Sequence, residues 1–479
     1  MAGITGIGSG IDIDSIVKGM VTAERAPKDA QLARLEKQTT TKITSLGALR
    51  SAMSAFQTAL ESLNKPDLFK ARSISSSNKD ALTATAGTTA GVGSYQVEIK
   101  AVATASKVVL GAIPDDEQLF ETGSIAIKIG ADTALTVSID KSNNSMAGIR
   151  DAINKAGGEA GLSATIVKDG SGQRLVLTSS KTGNGNDISV VPTAVPGGGG
   201  GRSLLGLAYD PADAPLPEDD PNYAASARAI SKASSAKVLI DGLEVTSATN
   251  KLEGVIDGVT LDIKAVTEPG KIVSVGVTLD KAGVKSNVQK FVDAYNKLVG
   301  VINSETSIVQ VGEGKPAVVG GLVGDASART VLRSIQSELT TASDGALRAL
   351  SDIGVTTQRD GTLKVDTAKL DAAMNGNFEE IAGLFAGEAG LAARLSVKVK
   401  PYSDAGGILQ QRHQALTGTI SAIDKQKVDL DRRIASLQER LYKQFNAMDR
   451  LVGQLSNTSS SLLASLENLP WAASNSKSR

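Results

Sequence analysis

The sequence predicts an α+β multidomain protein in which terminal coiled-coil helices and a helical body carry two β-rich head domains inserted in the middle of the chain. Three observations carry this reading. Near the C-terminus, apolar side chains fall at Leu430, Ile434, Leu437, Leu441, Phe445, Met448, Val452, Leu455, Leu462, Leu466 and Leu469. This three-and-four alternation, with one extra four between Leu441 and Phe445 and a polar Ser459, is a coiled-coil seam with a stutter. Near the other end, Leu32, Leu35, Thr39, Ile43, Leu46, Leu49, Met53, Phe56, Leu60 and Leu63 repeat the spacing. Between these ends the apolar period shortens to two, around glycine and Asp-Gly turns.

In chain order, residues 1–41 form an N-terminal segment read as a mobile export and stalk element. Gly3, Gly6, Gly8 and Gly10 make its start pliable, and no strand precedes them, so the run is not a dinucleotide loop. Asp12 or Asp14 caps a short helix with Ile13, Ile16, Val17, Met20 and Val21 on its apolar face, which ends before Pro27. The alternation is strict from Leu46 to Leu63 and Pro66 stops that helix, so Leu46, Leu49, Met53, Phe56, Leu60 and Leu63 are expected to pair with the C-terminal seam.

Residues 73–105 and 235–281 are read as one β domain in two pieces. Tyr95, Val97 and Ile99 alternate in the first piece, and apolar runs flank Asp241-Gly242 and Asp257-Gly258 in the second. Asp-Gly between alternating runs is a strong short-range hairpin signal. Residues 106–234 are an insertion with the order strand, strand, helix, strand, strand; its helix runs from Met146 to Asn154. A glycine run, Gly197 to Gly201, and a loop with Pro211, Pro215, Pro217 and Pro221 follow, read as flexible and acidic. Asp219 and Asp220 lack the spaced oxygen ligands of a calcium loop.

The helical body takes residues 42–72 and 282–429. Val284, Val288, Phe291, Val292, Tyr295, Leu298, Val299 and Ile302 form one helical face, Asp325 caps a further helix, and a hairpin turns at Asp360-Gly361. Asp366 and Asn377 cap two short helices, and a final long helix starts after Gly407. Residues 430–479 are the C-terminal coiled-coil stalk.

Composition narrows the function. Lys plus Arg and Asp plus Glu are 51 each, with no basic block, which argues against nucleic acid. The chain has no Cys, excluding disulfides, thiolate zinc sites and a cysteine nucleophile. Aromatics make up 3%, too few for the usual lining of a small-molecule pocket. The one histidine, His413, stands among Gln410, Gln411, Arg412 and Gln414 with no acid or nucleophile at catalytic spacing. Glu379-Glu380 and Asp115-Asp116 fall at helix starts and loops. No catalytic residue, cofactor site or metal-ligand grouping is expected. No apolar run spans a bilayer, and the start lacks the features of a Sec signal, so no membrane insertion is expected and any export uses another route.

The string GIGSGIDIDSIVKGMVTAERAP resembles the N-terminal signature of the bacterial flagellar filament cap family, also called flagellar hook-associated protein 2. The resemblance recurs at Tyr95 to Val109, Lys237 to Lys264, Val288 to Asn303, Ile353 to Leu370 and Arg440 to Val452. Residues 136–190 resemble the small module found inside many flagellins and hook-associated proteins. The resemblance implies a non-enzymatic cap at the distal end of the filament, exported unfolded through the flagellar channel, that helps flagellin subunits fold and insert. It implies a ring homo-oligomer, usually of five subunits, with flagellin, hook-filament junction proteins and an export chaperone as partners. Some family members are credited with binding host mucin, so a mucin or glycan adhesin is the alternative by analogy.

Overall fold

The computed structural model describes all residues except 1–9, 11, 115–118, 133, 196–200, 311, 313, 344 and 468–479. Gly3, Gly6, Gly8, Asp115, Asp116, Gly197 to Gly200 and Leu469 therefore lie outside the described residues.

The chain opens with helices α1 (Ile13–Leu63) and α2 (Pro66–Lys70). Strands β1 (Arg72–Ser76), β2 (Leu82–Ala86), β3 (Gly93–Ala101), β4 (Ala105–Val109), β5 (Gly123–Ile129) and β6 (Leu135–Ile139) lead to α3 (Met146–Gly157). Next come β7 (Leu162–Asp169), β8 (Gly172–Thr182), β9 (Ile188–Ala194), β10 (Arg228–Ser231), β11 (Ala236–Ile240), β12 (Leu243–Ser247), β13 (Lys251–Ile256), β14 (Val259–Ile263) and β15 (Val273–Leu279). Helix α4 (Lys281–Thr306), strands β16 (Ile308–Val309) and β17 (Val318–Val319), α5 (Ala326–Thr340), β18 (Val355–Thr357) and β19 (Leu363–Val365) follow. Four helices end the chain: α6 (Thr367–Gly376), α7 (Phe378–Phe385), α8 (Leu391–Ser403) and α9 (Ile408–Glu467). Two compact units result, one of residues 1–68 and 282–479, the other of residues 69–281. Among the described residues no helix is long and apolar enough to cross a membrane.

In the helical unit, α1 starts at Asp12, whose carboxylate accepts the Ser15 amide at 3.0 Å. The helix then runs unbroken through Pro27, which corrects the expected stop there. An interior proline costs about 3 kcal/mol through its lost donor and its clash one turn back. The helix absorbs this because Ile13 and Val17 before the proline and Leu32 after it are all buried. Pro66 opens α2 instead of merely ending α1, a position where its missing amide is harmless.

Leu49, Met53, Phe56, Leu60 and Leu63 lie on one face of α1 and are fully buried, as is the predicted face of α4. Phe56 meets Phe291 and Tyr295 with ring centroids 5.8 and 5.9 Å apart, and Phe291 meets Phe385 at 6.1 Å. These tilted contacts suit aromatic quadrupoles and make the centre of the unit. Tyr295 donates its hydroxyl to the Gly361 carbonyl at 2.8 Å, and Asn296 bonds both the amide and the carbonyl of Leu363. The β18–β19 hairpin is thereby tied to α4. Asp325 and Asp366 cap α5 and α6 through their carboxylates, whereas Asn377 makes no side-chain cap to α7.

The β-rich unit holds two hydrophobic cores. One lies between a sheet of order β1-β15-β3-β11-β12 and a sheet of order β13-β14-β2, so both separated chain segments build it. Asp241 and Gly242 take φ of 50° and 85°, the left-handed pair that a two-residue hairpin between β11 and β12 needs. At the β13–β14 turn a Cβ on Gly258 would stand 2.6 Å from the Ala90 amide nitrogen, so only glycine fits.

The second core is covered by sheets β10-β4-β8-β7 and β6-β5-β9 and by α3, which Ser145 caps. Strands β5 to β8 and α3 follow the expected order, while β4, β9 and β10 add strands that the periodicity did not reveal. The Pro-rich segment is anchored at its root: Leu204 and Leu207 are fully buried. Arg174, also fully buried, donates to the carbonyl of Leu110 at 3.0 Å and to those of Ala224 and Ser226. Asp210 and Asp220 close turns by accepting the amides of Ala212 and Asn222.

Candidate assembly interface

Helices α1 and α9 pack antiparallel within the helical unit. Glu36 faces Lys427 at 2.6 Å, Arg25 faces Asp431 at 2.6 Å, Glu24 faces Arg433 at 3.6 Å, and Asp14 accepts the Tyr442 hydroxyl. Residue numbers rise on one helix as they fall on the other, which fixes the direction. Arg25 also holds Asp29 at 2.6 Å on its own helix, giving a small network. Exposed pairs of this kind add roughly 0–1 kcal/mol each, so they set register more than stability. Lys18, and then Tyr442, hold the Asp14 carboxyl below its ordinary value, while the bond to Asp14 pushes the Tyr442 phenol up.

The root of α9 is fixed differently. Asp325, almost fully buried at its side chain, caps α5 and pairs with Arg412 of α9. Burial by itself would raise its pKa, but Arg412 and the amides of Ser327 and Ala328 outweigh that and hold it below 3.8. An unpaired carboxylate at this depth would be costly, so the pair locks the start of α9 to α5.

The predicted seam is divided by where α1 begins. Ile434 is 5% exposed, and Leu430, Leu437, Leu441 and Phe445 are half-buried along the paired length. Beyond Phe445, Met448, Val452 and Leu455 are 43%, 38% and 68% exposed. Leu462 and Leu466 are exposed as well. Tyr442, inside the stutter between Leu441 and Phe445, bonds Asp14 in the first turn of α1.

The ion pairs set residues 14–36 of α1, not the predicted Leu46 to Leu63 stripe, against residues 427–442 of α9, and Phe56 of that stripe meets Phe291 and Tyr295 of α4. Leu46 of that set lies near Ala415 and Leu416 of α9 around a cavity of about 380 Å3. Among the described residues, Asp14 to Glu36 of α1 face Lys427 to Tyr442 of α9, and Ile13, Val17 and Leu32 are buried along that stretch. The spacing could not reveal this, because the same three-and-four pattern serves a coiled coil and a helix packed on its own core.

Among the described residues no group of three His, Asp or Glu is placed to hold a metal ion. His413 lies half-buried on α9.

The flagellar hook-associated protein 2 N-terminus model matches residues 9–106 and the C-terminus model of the same family residues 233–457. The flagellin hook IN motif matches residues 124–181, the β5 to β8 module. The chain is 47% identical over 476 residues to the B-type flagellar hook-associated protein 2 of Pseudomonas aeruginosa, covering 99% of each. It is 29% identical over 493 residues to the Escherichia coli (K12) flagellar hook-associated protein 2, covering 97% of each. Its fold is similar to the D1-D2-D3 domains of the Escherichia coli flagellar cap protein FliD, with TM-score 0.60 and 26% identity over 78% of this chain and 99% of that one. With likeness at this level along nearly its whole length, the chain belongs to the flagellar hook-associated protein 2 family of flagellar cap proteins.

Proposed function

We propose that this chain caps the distal end of the bacterial flagellar filament, where it retains exported flagellin and promotes its folding and insertion. One observation carries the reading: in a chain of the cap family, the two terminal helices join into one stalk, and past Phe445 that stalk exposes Met448, Val452, Leu455, Leu462 and Leu466. Such a stalk is made to be seated in something larger, and that is structural work without catalysis. The protein reaches the tip through the flagellar export channel and acts as a ring of copies, five being the usual number in the family. Flagellin, hook-filament junction proteins and an export chaperone are its partners.

Residues 430–455 are the assembly seam in this reading, with residues 1–41 and 430–479 as stalk and residues 42–72 and 282–429 as body. The two cores of the β-rich unit serve as two head domains, divided near residues 105 and 235. The relatives are hook-associated and cap proteins, and none of them supports the adhesin reading.

Complementation of a strain lacking its cap tests the proposal. The chain should restore filament growth and keep flagellin monomer out of the medium. Continued shedding of monomer from cells that export the chain would contradict it.

A further inference from the structure

We infer that residues 446–467 of α9 form a parallel, in-register bundle with the same residues of other copies of this chain. The inference rests on the capping reading for its ring of copies and goes beyond it by naming the contact. The surface is the direct continuation of the α1–α9 interface: Met448, Val452, Leu455, Ser459, Leu462 and Leu466 keep strict four-and-three spacing past the stutter, all exposed. At 1.5 Å per residue this half of the helix is roughly 33 Å long, three heptads in all.

Charge points to a second copy as the occupant. In coiled coils the positions flanking the seam select partners by charge. Here they are Asp449, Leu451, Ser456, Thr458, Leu463 and Ser465, with one charge among them. Identical helices therefore meet without repulsion, whereas a partner selected by charge would find almost nothing to read. Leu451 and Leu463 are 60% exposed and widen the apolar stripe beyond two positions per heptad. A stripe of that width suits more than two helices.

Ser459 fixes direction and register. In a parallel arrangement Ser459 meets Ser459, where the hydroxyls satisfy one another, and each leucine meets a leucine. Turned antiparallel about the middle of the seam, Ser459 would face Leu455 and lose its partner. One polar seam position that sets register at some cost in stability is a recognised coiled-coil device. Three heptads hold weakly alone, so the bundle forms where copies are already gathered and local concentration is high.

The absence of cysteine makes the test direct. Full-length protein carrying Ser459→Cys is oxidised mildly at concentrations where native mass spectrometry finds oligomers. Asn457→Cys, on the opposite side of the helix, serves as the control. Covalent dimers should form at position 459 and not at 457, because a disulfide needs Cα atoms within about 7 Å. Ser459→Leu should tighten self-association about tenfold, since it removes the polar cost from the seam. Equal linking at both positions, no linking at 459, or linking only when Ser459→Cys and Leu455→Cys copies are mixed would overturn the inference. These measurements use purified protein and are independent of filament growth, so a chain that restores growth yet fails to link at 459 leaves capping intact and removes only the bundle.

Discussion

Residues 408–445 and 446–467 belong to one unbroken helix, yet charge is crowded into the first stretch and nearly absent from the second. The first carries Arg412, Asp424, Lys425, Lys427, Asp429, Asp431, Arg432, Arg433, Glu439, Arg440 and Lys443, and uses several of them to meet α1. The second carries Asp449, Arg450 and Glu467, and exposes leucines. A helix that must find one register against its own chain benefits from exposed ion pairs, which direct without stabilising much. A helix kept for other chains benefits from an apolar seam left open. The same three-and-four spacing runs through both stretches, and the stutter at Leu441 to Phe445 lies between them.

Stability and assembly should come apart under mutation. The largest stability loss belongs to the helical core: Phe56→Ala should cost about 3–5 kcal/mol, because it empties the ring cluster with Phe291 and Tyr295. Phe445→Ala, at a half-buried site, should cost only about 1 kcal/mol in the same denaturant titration. Comparable losses would erase the distinction between core and seam.

Next in size is the root of α9. Asp325→Ala removes both a helix cap and the partner of Arg412, and should cost about 2 kcal/mol. Acid should mimic it. Asp325 is held below 3.8 when folded, so its contribution is fully present above that value and disappears as pH falls through the lower folded value. Thermal melts of the parent and of Asp325→Ala should therefore converge on acidification below that point, and a constant gap would contradict the pairing.

Deleting Gln444 should change stability little, since it restores heptad spacing at the end of the paired stretch. It should also turn everything beyond it by about 100° relative to α1. Filament growth should slow while the melt holds; growth at the parent rate would make the stutter a matter of packing alone. Smallest of all, Arg25→Ala should cost under about 1 kcal/mol, and that cost should shrink as salt is raised. A circular-dichroism melt series in salt checks it.

Much of this architecture was legible because each signal was local. The Asp241-Gly242 hairpin, the buried face of α4 and the caps Asp12, Asp325 and Asp366 are readable from adjacent residues. Harder to read was whatever tertiary contact decides. Pro27 reads as a stop until burial on both sides of it holds α1 together. Strand β9 contains Pro192, which argues against a strand, and is tolerated because β9 is the edge of its sheet. Arg174 reads as a surface residue; the carbonyls that bury it come from residues 110, 224 and 226. The spacing of α9 did not reveal which part of α1 lies beside it: Asp14 to Glu36 face Lys427 to Tyr442, while Phe56 meets Phe291 and Tyr295.

The exposed half of α9 is expected to serve assembly and not folding. The most direct test is a chain ending at Phe445, introduced into a strain lacking its cap beside the full-length chain. The shortened protein should keep an unchanged cooperative melt and be exported yet fail to cap, so that flagellin accumulates in the medium and filaments do not lengthen. Filaments of normal length on cells carrying the shortened chain would contradict it.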